Sequence, residues 1–241
     1  YFNDLFRKQT HVRNAEVEEL LGMLRDPFTS TSNTATMLAN ADFKFKPAHD
    51  SKNKKVELTQ STFDAILNGS DRKARQTAWE NYNDQYIEYK NTLANNLNTS
   101  IKQNVFNMKV RNFNSSLEST LFNGNVPVEM FHNLLDIFKK KLPLWHKYWR
   151  IRRKALGVKT LHPYDVWAPL TTRAPKVPFE KAVDWICEGL APMGEEYVSV
   201  MRKGCLQDRW VDWSPNAGKS QGAFSTRVPK DTHPFILMSY T

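Results

Sequence analysis

The sequence is poor in cysteine, has no long apolar run and carries no spacing of residues that would hold a metal. Cys187 and Cys205 are its two cysteines. On one straight helix they would lie ~27 Å apart, too far to bridge. A break at Pro192 would lift that limit, so the spacing leaves a disulfide open. Two reduced, partly buried thiols of a cytosolic protein is the expectation adopted. No apolar run approaches the roughly 20 residues of a membrane helix. Asp4, Arg7 and Lys8 interrupt any apolar core of a secretion signal. Tyr1 is not an initiator methionine, and the chain stops on the apolar run His233–Thr241. Both ends therefore read as cut from something longer.

The six histidines are His11, His49, His132, His146, His162 and His233. None has a His, Cys or carboxylate partner at ligand spacing. His132 and His146 share a predicted helix but stand ~21 Å apart. No His-Glu-x-x-His, paired-cysteine or EF-hand pattern occurs, so the chain is expected to bring no zinc site of its own. Nucleophile elbows and dinucleotide fingerprints are absent too. Gly218-Lys219-Ser220 matches the end of a phosphate loop but lacks the leading glycine.

What is present is charge of one sign, gathered in one place. The net charge is +9, and nine basic residues with no acidic one lie between Lys139 and Lys159. Elsewhere basic and acidic residues balance. Lys140, Lys147, Arg150 and Lys154 share one helical face. A solvated surface is the plain account; an electropositive wall for anionic ligands is the sharper one. Arg152 falls on the apolar side and is expected to be partly buried.

At 241 residues the chain can bury a sizeable core. Spacing predicts a helix over Glu16–Arg25, ended by Asp26-Pro27, then a loop or weak helix over Thr29–Asn40. Residues 41–58 predict a β-hairpin, with Asp42–Phe45 and Lys55–Leu58 as its arms. A short helix carries Phe63, Ile66 and Leu67. From Asp71, apolar residues step by three or four as far as Met108, which predicts one helix of about 40 residues. A second long helix runs over Val128–Leu156, with Leu134, Phe138, Leu142, Trp145 and Trp149 as its buried stripe. A third starts after Pro178. Gln207–Trp213, Gln221–Val228 and His233–Thr241 read as strands, the last two joined by a turn with Pro229 and Asp231.

These residues resemble a known family. Val110-Arg111-Asn112-Phe113-Asn114-Ser115-Ser116-Leu117-Glu118 followed by Val126-Pro127 is similar to the oligoendopeptidase F family of zinc metallopeptidases, which are thimet-oligopeptidase-like. So are Ala155-Leu156-Gly157 running into Tyr164-Asp165 and Pro169-Leu170. Most specific is Gly218-Lys219, Gly222-Ala223-Phe224-Ser225, then His233-Pro234-Phe235-Ile236-Leu237. The order and spacing of these motifs carry the resemblance over nearly the whole chain.

The resemblance implies a mainly α, long-helix zincin-type peptidase portion with a small hairpin near residues 41–58 and a small β-sheet at the C-terminal end. Residues 1–125 would form a helical part with the spine helix, 126–206 the helical part of the peptidase domain, and 207–241 strands leading to a zinc helix that lies beyond this sequence. It implies a cytoplasmic zinc metalloendopeptidase as the parent protein, with an oligopeptide substrate. This chain would be a non-catalytic portion, binding no zinc alone, whose partner is the remaining catalytic portion, in cis or as a separate chain. The candidate substrate-binding residues are Gly222, Ala223, Phe224, Ser225 and His233; the extended, proline-bearing stretch from Leu161 to Leu170 adds Tyr164 and Asp165, either as hydrogen-bonding groups facing a cleft or as part of a packed loop. The competing expectation is a helical binding module that takes anionic partners through residues 139–159. No membrane contact is expected, and nucleic acid is disfavoured.

Overall fold

The computed structural model describes residues 2–171, 177–216, 219, 222–227 and 232–240. The chain divides into two compact units, Tyr1–Asp42 with Tyr86–Gly157, and Phe43–Gln85 with Val158–Thr241. This is a division by packing. The linear three-part division read from the sequence is one by chain order, and it stays a proposal.

The first unit is helical. It contains α1 (Phe2–Gln9), α2 (Ala15–Met23) and α3 (Arg25–Met37), and α3 runs into a π-helical turn at Leu38–Asp42. The Asn14 side chain accepts from the Val17 amide and caps α2. Pro27 does not end the helical run, as expected from sequence. It lies in the first turn of α3, where its missing N–H has no partner to lose. The Ser/Thr/Asn-rich stretch after it is therefore helix. Phe28 meets Phe106 edge-on at 5.7 Å, and Arg111 forks onto Glu18 with both contacts at 3.0 Å.

The predicted 40-residue helix is two helices, α5 (Arg72–Glu88) and α6 (Lys90–Val110). Tyr89 separates them, with φ −99° and ψ 16°. The apolar stripe continues in sequence across a backbone that does not. After α7 (Ser116–Phe122), α8 spans Val128–Ala155, and Gly157 follows it with φ +65°. The expected buried stripe of α8 is not buried: Leu134, Phe138 and Trp145 are all exposed. Periodicity reports which face is apolar, not what covers it. Arg152 is buried.

The second unit carries the sheets. The hairpin exists, but its first arm is β1 (Ala48–His49), pairing antiparallel with β2 (Lys55–Val56), and not Asp42–Phe45. Phe43 is buried and Phe45 stacks on Tyr82 at 4.8 Å, so these rings serve packing rather than pairing. Asp50 closes the turn by accepting from the Lys52 and Lys54 amides. Next comes α4 (Phe63–Leu67). Phe63, Leu67, Ala48, Leu58, Ala78 and Tyr164 form one buried cluster.

A second cluster joins α9 (Phe179–Gly189) and α10 (Glu195–Leu206) to a small sheet. Its strands are β3 (Val211–Asp212), β4 (Phe224–Arg227) and β5 (Pro234–Leu237), in the order β3-β5-β4. β3 runs parallel to β5, and β4 antiparallel to it. The mainly α architecture with small sheets is as the sequence predicts. Pro229 and Asp231 lie outside the described residues. No helix among the described residues is long and apolar enough to cross a membrane.

Candidate functional site

Among the described residues the strand β4 lies at an edge of its sheet, with β5 on one side only. All four of its residues, Phe224 to Arg227, are exposed. An edge strand turns part of its backbone N–H and C=O groups outward, unpaired, and so can template a further strand. Gly222 enters it at φ +112°, a backbone region that L side chains rarely adopt. A Cβ there would meet nothing within 4 Å. The glycine is needed for the bend of the chain, and the space beside it is open.

Two anchors hold this strand's surroundings. Lys219 is buried, and its Nζ donates to the Asp212 carboxylate at 2.9 Å, the Asp212 carbonyl at 2.9 Å and the Ser214 carbonyl at 2.8 Å. That ties the segment before β4 to the end of β3. On the other side, the His233 Nδ1–H donates to the Pro234 carbonyl at 2.8 Å, and its ring stacks on Trp210 at 5.4 Å. Trp210 lies on Gly204, where a Cβ would meet the indole at 2.2 Å. Only glycine leaves room for that contact. The sequence singled out Lys219 for a phosphate-loop pattern and missed its pairing with Asp212.

Gly222, Ala223, Phe224 and Ser225 lie together at the start of β4, by Leu237, whereas His233 precedes Pro234 at the opposite end of the strand pair, by Arg227. Tyr164 and Asp165 lie at neither end. Both are buried in the other cluster, on a 3-10 turn at Pro163–Asp165. The Asp165 carboxylate accepts from Arg72 Nε at 3.0 Å, Arg72 Nη2 at 2.8 Å, Arg75 Nη2 at 3.2 Å and the His162 amide at 3.1 Å. Burial alone would raise its pKa, but the Arg72, His162 and Arg75 hydrogen bonds outweigh that and lower it. This arrangement staples α5 to the Pro163 turn. It was legible only as an aromatic, proline-bearing stretch, because nothing in the spacing links Arg72 and Arg75 to Asp165.

Comparison with known proteins settles the family. The model for Peptidase family M3 matches residues 65–241, and the model for Oligopeptidase F matches residues 1–45. The chain belongs to peptidase family M3. Among curated relatives, this M3 chain is 36% identical over 238 residues to Oligopeptidase PepF of Bacillus subtilis, covering 98% of the chain and 35% of the relative. It is 30% identical over 239 residues to the plasmid oligoendopeptidase F of Lactococcus lactis subsp. cremoris, covering 99% and 39%. The chain therefore spans well under half the length of these relatives. The crystal structure of oligoendopeptidase-F from Enterococcus faecium superposes with a TM-score of 0.68 at 32% identity, over 87% of this chain and 40% of that one. PZ peptidase A with an inhibitor shares the fold, with a TM-score of 0.74 at 18% identity over 98% of this chain and 42% of its own.

The family resemblance implies zinc. Among the described residues no group of three His, Cys, Asp or Glu side chains lies together to hold a metal ion. The described residues of this M3 chain therefore do not fit that ion, and no chemical step is assigned to it here.

Proposed function

We propose that this chain is the non-catalytic N-terminal and middle portion of a cytoplasmic zinc-dependent oligopeptidase, and that β4 is the strand against which an extended peptide lies. The observation that carries the reading is a fully exposed edge strand, entered through Gly222, in a chain of peptidase family M3. Peptide backbones recognise such an edge by main-chain pairing, with side-chain pockets adding selectivity. In this reading the zinc ligands, the general base and the groups that hold the substrate oxyanion belong to a further catalytic portion, in cis or as a separate chain. The contribution of these 241 residues is to bind and align the peptide.

Hydrogen exchange tests this directly. Saturating extended oligopeptide should slow exchange at the amides of 224–227 more than at those of 236–237, where β5 is already flanked by β3 and β4. Unchanged exchange at 224–227 would reject the pairing role.

A second reading has one observation in its favour. Lys139, Lys140, Lys141, Lys147 and Arg150 are all exposed along α8. They suit an anionic partner, and charge reversal at Lys140, Lys147, Arg150 and Lys154 would abolish such a function while leaving β4 indifferent.

A further inference from the structure

The geometry points to a side-chain subsite beside β4: a cavity of about 830 Å³ that takes a bulky apolar residue of an extended peptide paired to that strand. The inference rests on the peptide-pairing role proposed for β4, and adds the chemical class that the strand would select.

The cavity lies between α10 and the sheet. Met201, Cys205, Trp210 and Ile236 line its inner wall, and all four pack against the second core cluster. The exposed side chains of Tyr197 and Val200 stand at its mouth. Burial, with Cys187 as a lesser contribution, pushes the Cys205 thiol up, so the inner wall carries no charge there; Glu195 and Glu196 also line the cavity and bring acidic groups to it. Methionine side chains adapt to different apolar shapes. The Trp210 ring is fixed against Gly204, so one wall of the cavity is rigid.

Strand register ties this cavity to β4. Ser225 stands directly opposite Ile236 in the antiparallel pair, and cross-strand partners share a face. Both line the cavity, as does Pro234, two residues before Ile236 and so on the same face. A peptide added outside β4 continues the pleat, and every second side chain falls on the face of Ser225. Ser225 is small and leaves the mouth open on that side. A peptide with a large apolar residue at that register buries it against Trp210 and Met201. A peptide of small residues gains only the main-chain pairing.

The test uses the 241-residue chain and short alanine-serine peptides that differ at one central position, carrying Ala, Phe or photoreactive benzoylphenylalanine there. The Phe peptide is expected to bind about tenfold or more tightly than the Ala peptide. The photoreactive peptide is expected to label α10 or Trp210. Val200→Trp, at the mouth, should block the cavity and erase the Phe preference. Equal affinities for the Ala and Phe peptides, or labels confined to Phe224 and Leu237 on the opposite face, overturn the subsite and leave the pairing role standing. If no peptide protects the amides of 224–227, the pairing role fails and the subsite with it.

Discussion

Arg75 Nη2 meets Asp165 Oδ1 at 3.2 Å, with the two side chains only 4% and 0% exposed. Arg75 also donates Nε to the Tyr164 carbonyl at 2.9 Å and Nη1 to the Gly69 carbonyl at 2.7 Å. A buried pair of this kind is dangerous to break, because the surviving charge has no water to return to. Asp165→Ala should destabilise the chain by about 3–5 kcal/mol in urea unfolding. Asp165→Asn, which keeps an acceptor, should cost less. A wild-type unfolding midpoint for Asp165→Ala would show that the network contributes nothing.

Acid should weaken the second unit through two carboxylates. Asp71 is held at about 2, first by the Ser51 hydroxyl and then by the Ala74 amide, while partial burial opposes them. It caps α5, accepting from the Ala74 amide at 2.9 Å. Asp165 is lowered as well. A carboxyl lowered by folding gives stability that is complete above its unfolded pKa, near 3.9, and lost as pH falls through the folded value. Stability should therefore be flat above about pH 4 to 5 and fall from there toward pH 2. Ser51→Ala should move the Asp71 titration upward and cost about 1 kcal/mol at neutral pH. An unchanged titration, followed by carboxyl NMR, would count against the Ser51 contact.

How much of this could be read in advance differs from element to element. The helices at 15–23, 63–67 and 128–155 and the terminal strand pair follow from local patterns: apolar residues at helical spacing, and β-type residues around Phe224 and Phe235 with turn formers between them. The interruption at Tyr89 has no such mark, since the apolar stripe runs straight through it. The first arm of the hairpin was misplaced because Phe43 and Phe45 alternate like a strand yet are taken up by aromatic packing. At the site, Gly222 and the β4 run were legible as glycine plus β-type residues. The Asp165 network and the cavity beside Ser225 were not, because both are made by residues far apart in sequence.

The exposed face of α8 gives a mutational contrast. Phe138 is 50% exposed and Leu67 only 2% exposed. In this chain Phe138→Ser should change stability by no more than about 0.5 kcal/mol. Leu67→Ala should cost about 2–5 kcal/mol, since it opens a cavity among Phe63, Ala78 and Tyr164. Thermal unfolding of the two variants decides it. A Phe138 effect as large as that of Leu67 would mean that the α8 face is covered in solution.

Metal and turnover are expected only in the complete enzyme. The 241-residue chain should bind no zinc tightly and cleave no quenched oligopeptide, because no three ligand side chains converge among its described residues. Metal analysis after dialysis and a fluorescence assay check both. Stoichiometric zinc together with chelator-sensitive cleavage would overturn the division of labour proposed for this chain.

Gly222 is where conformation and access can be separated. Its φ of +112° makes any side chain costly whatever the space around it, by about 1–3 kcal/mol for backbones held in such regions. Its surroundings are open, so the cost is one of backbone and not of collision within the chain. Gly222→Ala and Gly222→Val share most of that backbone cost. They differ in bulk, which in Val projects into the space beside β4 that a peptide would enter. In the complete enzyme, Gly222→Val should lower kcat/KM by about tenfold or more, with zinc content unchanged and only modest destabilisation. Gly222→Ala should lose less. Equal losses in the two variants would assign the effect to the backbone bend alone. Wild-type kinetics for Gly222→Val on oligopeptides would make β4 a scaffold strand, because a branched side chain at its entrance could then be tolerated only if no substrate passed there.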